Sequence, residues 1–170
     1  MGGPAVVVIV SHSAGETRAW GARIGRLASA GDVILLHGDL GAGKTTLTQG
    51  IAEGLGIKGP VQSPTFTLVA EYDGRDATGK LLRLYHLDLY RLTSVDDLET
   101  FGFDEYLAPP DGIAVVEWPE RAGGLIEAPY LLVRLETGGV DQRRLTFEAV
   151  PVDGHYAAWL ASLQADALQM

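Results

Sequence analysis

The chain has 170 residues, a formal net charge of -9 and no cysteine. This length fits a single domain, residues 1–170, that buries about 70% of its unfolded surface. The acidity argues against a broad basic face for nucleic acid, and the lack of cysteine removes disulfides and thiolate metal sites.

MGGPAVVVIV at the start has no basic n-region, and its apolar run is too short for a signal peptide or a membrane span. Val6 also stands where a myristoylation signal needs Ser or Thr, so the expected location is the cytoplasm. Residues 5–10 are continuous and β-branched and predict a buried strand. Ser13 and Glu16 form a capping-box pattern, opening a helix whose apolar face carries Trp20, Ile24, Leu27 and Ala28. DVILLHG, residues 32–38, predicts a second buried strand, and a second helix follows over 44–53, ending near Gly54 and Gly56.

Beyond Pro60, TFTLVAEY (65–72) and KLLRLYHLDLY (80–90) flank the turn-rich DGRDATG and predict a hairpin. A short acidic helix begins at Ser94, and Pro109 and Pro110 mark a loop. IAVVEW (113–118) predicts a further buried strand. YLLVRLE and RRLTFEAV form a second hairpin around TGGVDQ. The last helix, expected to be capped by Asp153, presents Tyr156, Ala157, Leu160 and Leu163. Strands alternating with helices and joined by hairpins predict an α/β sandwich with a mixed sheet.

The second strand and helix are joined by HGDLGAGKTT. Gly38, Gly43, Lys44 and Thr45 satisfy G-x-x-x-x-G-K-[ST] in the context that pattern requires, a strand before and a helix after. Backbone amides across Asp39, Leu40, Gly41, Ala42, Gly43, Lys44, Thr45 and Thr46 are expected to cradle phosphate, helped by roughly half a positive charge at the helix N-terminus. Lys44 would reach the β and γ phosphates, and the Thr45 hydroxyl would bind Mg²⁺. Contact-range groups outweigh distant carboxylates, which are screened over about 8 Å. No asparagine is present, so the N-K-x-D signature for guanine is missing and ATP is the expected nucleotide. Asp76 to Gly79 matches D-x-x-G but sits in a hairpin tip, where a turn explains it.

Hydrolysis needs a carboxylate at the end of a neighbouring strand. Glu117 is the stronger metal candidate, the alternative being a strand-end acid facing water. Asp88 either orients water near the metal or pairs with Arg91 at the surface. Thr65 in SPTF is either a γ-phosphate sensor or a residue carried by the extended entry that Pro64 enforces. His86 reads as a half-buried structural imidazole or a catalytic one, and Trp118 as a wall of the site or as packing; Trp20 reads as core.

GDLGAGKTTL, VQSPTFTLVAEY, LYHLDLYRL, FGFDEYL and VVEWPER, in that order over about residues 13–121, resemble the TsaE (YjeE) family of small bacterial ATPases. The resemblance implies a P-loop NTPase-like three-layer sandwich with a mixed parallel and antiparallel sheet. It implies slow ATP hydrolysis with Mg²⁺, coupled to the partners TsaB and TsaD, which modify adenosine 37 of tRNA. tRNA would then be met only through the complex, and no membrane is involved. The motifs carry phosphate and Mg²⁺ binding to Lys44, Thr45 and Thr46, and place Thr65, Asp88 and Glu117 in the switch-like, H-x-D and E-W-P segments. A small-molecule kinase and a nucleotide-gated interaction module are the alternatives.

Overall fold

A computed structural model describes residues 4–64 and 68–169. Among them, strands β1 (Val6–Ser11), β2 (Val33–His37), β3 (Val69–Arg75), β4 (Leu81–Asp88), β5 (Gly112–Glu117), β6 (Tyr130–Thr137) and β7 (Arg143–Val150) form one sheet ordered β1-β7-β6-β2-β5-β4-β3. The central strands β6, β2, β5 and β4 run parallel, while β3, β7 and β1 add antiparallel pairs at the two sides. The mixed sheet expected from the hairpins and crossovers is therefore present. Parallel β2 and β5 are buried on both faces, which accounts for their unbroken apolar runs.

Side-chain alternation divides the sheet into two faces. Ile34, Leu36, Leu84, Ile113 and Val115 point to helices α1 (Ala14–Leu27), α2 (Lys44–Gly54) and α4 (Ala157–Leu168), joining Trp20, Ile51 and Leu160 in the larger core. Val33, Leu35, Leu87, Ala114 and Val116 meet Leu98 of the short α3 (Asp96–Phe101), Phe103 and Ala122 on the other face. By the same parity His86, Asp88 and Glu117 fall on the α2 side, at the C-terminal ends of their strands.

The packing of α1 on α2 depends on four glycines. A β-carbon at Gly21, Gly25, Gly50 or Gly54 would lie closer than 3.0 Å to backbone of the facing helix. Two G-x-x-x-G spacings on consecutive helices allow this approach, and α2 is thereby fixed against α1. α1 is capped as expected, with Ser13 Oγ accepting from the Glu16 amide at 3.0 Å, but the Glu16 carboxylate takes the amide of His12, one residue before the cap, at 2.7 Å.

Two expectations need correction. β1 is an edge strand buried on one face only: Val6, Val8 and Val10 are exposed, and an all-apolar run hides that alternation. Asp153 does not cap α4, which starts at Ala157 with Tyr156 at the cap position and no side-chain cap bond. The α4 start is held instead by the buried phenol of Tyr156, which accepts the Val33 amide at 2.7 Å and donates to Asp32 at 3.1 Å. No helix among the described residues is long and apolar enough to cross a membrane.

Candidate active site

The loop between β2 and α2 lies at the C-terminal edge of the parallel strands, where open α/β sheets place their ligand crevices. Gly43 occupies the α2 cap position with φ 105°, a left-handed conformation that costs glycine nothing. At Gly38 the requirement is closeness, since a β-carbon there would sit 2.7 Å from the Leu135 carbonyl oxygen. No side chain caps α2. Its first amides, which a helix cannot satisfy internally, are left to point into the loop concavity.

A cavity of about 260 Å³ opens there, lined by Gly41, Gly43, Lys44, Thr45, Thr46, Thr17, Asp141 and Arg143 among others. Arg143 reaches the loop from the start of β7, donating from Nη2 to the Gly41 carbonyl at 3.3 Å. Of the loop residues predicted to bind phosphate, Gly41 and Gly43 to Thr46, apart from the buried Ala42, wall this cavity. Asp39 and Ala42 line a separate depression beside Arg134 and Glu136. Leu40 is exposed at the loop tip.

The Lys44 side chain folds back across the loop. Its ammonium donates to the Gly38 carbonyl at 2.5 Å and lies 3.6 Å from the centre of the Trp118 ring. Trp118 holds this position with φ 57°, unusual for a bulky side chain and of the kind that collects at functional sites. Tyr90 packs against Trp118 at 4.9 Å between ring centres. Burial pushes the Lys44 ammonium below its usual pKa, and the opposing charges of Glu117, Asp88, Glu120 and Asp39 partly restore it.

Glu117 is a buried acid, not a strand-end acid facing water, at 3% exposure. Among the described residues one of its oxygens, Oε2, takes two partners: His86 Nε2 at 2.5 Å and the Ser63 hydroxyl at 3.1 Å. Ser63 Oγ in turn lies 2.8 Å from the Thr45 hydroxyl. Thr45 and Glu117, both predicted to meet a cation, are thus joined through one intervening oxygen. His86 is fully buried rather than half-buried, and its Nδ1 has no hydrogen-bond partner among the described residues. Asp88 pairs in register with Glu117 on the adjacent parallel strand and accepts the Tyr90 amide at 3.0 Å. Burial raises its pKa, the Tyr90 amide lowers it, and the nearby Glu117 charge raises it again.

Lys44, Thr45, Asp88 and Glu117 are therefore gathered at one edge of the sheet, while Thr65 lies outside the described residues. Ser63, Trp118 over the lysine and Arg143 over the loop complete the surroundings. Ser63 was within the SPTF segment, but nothing in its spacing marks the hydroxyl as the link to Glu117. Asp76 is confirmed as a turn residue, its carboxylate accepting the amides of Thr78 and Lys80.

Comparison with known proteins gives a consistent picture. Residues 11–145 match the family model described as threonylcarbamoyl adenosine biosynthesis protein TsaE. A tRNA threonylcarbamoyladenosine biosynthesis protein TsaE of Bacillus subtilis is 44% identical over 136 residues, covering 79% of this chain and 80% of the relative. Its counterpart in Treponema pallidum is 41% identical over 137 residues, covering 81% and 96% respectively. The crystal structure of Bacillus subtilis YdiB superposes with a TM-score of 0.75 and 34% identity, covering 95% of each chain.

Proposed function

The chain belongs to the TsaE family, and on that premise we propose that it is a Mg²⁺-dependent ATPase acting in tRNA threonylcarbamoyladenosine formation, with TsaB and TsaD as partners. The observation that carries the ATPase reading is the meeting of Lys44, Thr45 and Glu117 around an uncapped helix end.

In this reading the amides from Gly41 to Thr46 hold the phosphates, and the cavity walls formed by Thr17, Asp141 and Arg143 receive the nucleoside end. Lys44 leaves the Gly38 carbonyl for the β and γ phosphates, a short swing because its ammonium already spans the loop. Thr45 and Glu117 fit a Mg²⁺ ion, since both already reach a common oxygen. The ion, when bound, would neutralise charge developing on the β and γ oxygens. His86 fixes the Glu117 rotamer through Oε2. Asp88, whose burial makes it more basic than a surface carboxylate, holds and orients water. Trp118 covers the lysine and limits water at the ammonium.

Coupling to TsaB and TsaD draws its support from the family, and from the acidic charge that leaves tRNA contact to the partners. ATP hydrolysis measured with and without TsaB and TsaD tests the whole proposal. Hydrolysis that requires Mg²⁺ and changes on adding the partners supports it; phosphate transfer to a metabolite, with ADP formed only in its presence, would replace it with a kinase.

A further inference from the structure

Ser63 stands between two groups that a shared cation would bring together. A carboxylate only accepts hydrogen bonds, so Ser63 spends its single proton on Glu117 Oε2 at 3.1 Å. The Thr45 hydroxyl must then be the donor in its 2.8 Å contact with Ser63 Oγ. A relay of two hydrogen bonds through Ser63 therefore joins Thr45 to Glu117. Ligand oxygens of Mg²⁺ stand about 2.1 Å from the ion in a near-octahedral shell, which leaves no room for a third oxygen between neighbouring ligands.

We propose that Ser63 is a positioning residue whose hydroxyl occupies the cation's place between Thr45 and Glu117, and that it withdraws when Mg²⁺ binds with nucleotide. This rests on the ATPase reading above. Withdrawal leaves Glu117 in position because His86 holds the same oxygen at 2.5 Å. It also links the cation to residues 61–64, which are otherwise tied by Gln49 Nε2 to the Val61 carbonyl at 3.1 Å and by the Gln62 amide to the Tyr72 hydroxyl at 3.4 Å. The first tie is to α2 and the second to β3, and among the described residues Ser63 attaches this segment to the β5 acid. Cation binding in this arrangement is a competition with two hydrogen bonds, and the segment moves with its outcome.

The test is a calorimetric Mg²⁺ titration of the full chain saturated with a non-hydrolysable ATP analogue, comparing the unaltered protein with Ser63→Ala and Ser63→Thr. Removing the competing hydroxyl should tighten Mg²⁺ about threefold to tenfold, and Ser63→Thr, which keeps a hydroxyl, should stay near the unaltered value. Amide exchange at residues 61–63 should rise when Mg²⁺ joins the analogue, with a smaller rise in Ser63→Ala. Unchanged Mg²⁺ affinity in Ser63→Ala overturns the inference alone, and weaker affinity does so by making Ser63 a ligand or a support of the bound state. Equal tightening in Ser63→Thr overturns it as well. A protein that binds no analogue under any condition removes the ATPase reading and this inference with it.

Discussion

Two buried carboxylates, each 3% exposed and each beside a histidine, sit at opposite ends of the parallel strands. Asp32, before β2, is saturated: it accepts the Ser29 amide at 2.7 Å, the Tyr156 hydroxyl at 3.1 Å and His155 at 2.9 Å. Glu117, at the end of β5, has a histidine and a serine on one oxygen, and its histidine keeps a buried nitrogen with no partner among the described residues. The contrast shows that burial alone does not mark a functional acid. Asp32 is satisfied by donors that belong to the fold, joining the α1–β2 connection to α4. Among the described residues Glu117 has capacity left, and it faces a desolvated lysine and a helix end, so its remaining demand is suited to a ligand.

Substitutions at the two ends should separate these roles. The largest effect is expected from Glu117→Gln, which should retain ATP binding while hydrolysis falls about a hundredfold to a thousandfold in a steady-state phosphate-release assay. A variant that still supports repeated rounds of tRNA modification with TsaB and TsaD would favour the interaction-module alternative. Next is Lys44→Ala, expected to weaken ATP binding about tenfold to a hundredfold through loss of a charge-assisted contact, read by calorimetry.

At the other end, Asp32→Asn should leave ATP affinity unchanged but cost about 1 to 3 kcal/mol in denaturant unfolding, because the amide cannot accept from every donor now around it. A change in ATP affinity there would erase the distinction between the ends. The smallest effect concerns Asp88. Burial raises its folded pKa above the unfolded value, so its stabilising share is present below the unfolded pKa and is lost as pH rises through the folded one. Asp88→Asn should therefore be somewhat more stable than the unaltered chain at neutral pH, with the difference fading in acid; thermal melts over a pH series check the sign.

The two ends also differ in how much of them the sequence reveals. G-x-x-x-x-G-K-T between a strand and a helix contains its own local geometry, and strand parity carries Glu117 and Asp88 to the α2 face. Asp32 and Tyr156, 124 positions apart, meet only through the tertiary fold, which is why Asp153 looked like the natural cap. The one-sided burial of β1 was hidden because both of its faces are apolar. Gly21, Gly25, Gly50 and Gly54 form two G-x-x-x-G spacings whose meaning appears only in the close α1–α2 approach they allow. Ser63 stayed hidden because its meaning depends on two partners distant in sequence.

The central claim, that the amides from Gly41 to Thr46 hold a triphosphate with Lys44 and Mg²⁺, is tested most directly by a crystal structure with Mg²⁺ and a non-hydrolysable ATP analogue. Phosphates are expected to be seated on the α2 end, with Lys44 Nζ moved from the Gly38 carbonyl to the β and γ oxygens and the ion beside Thr45. An analogue bound elsewhere, or Lys44 still held by Gly38 with phosphate present, would contradict it.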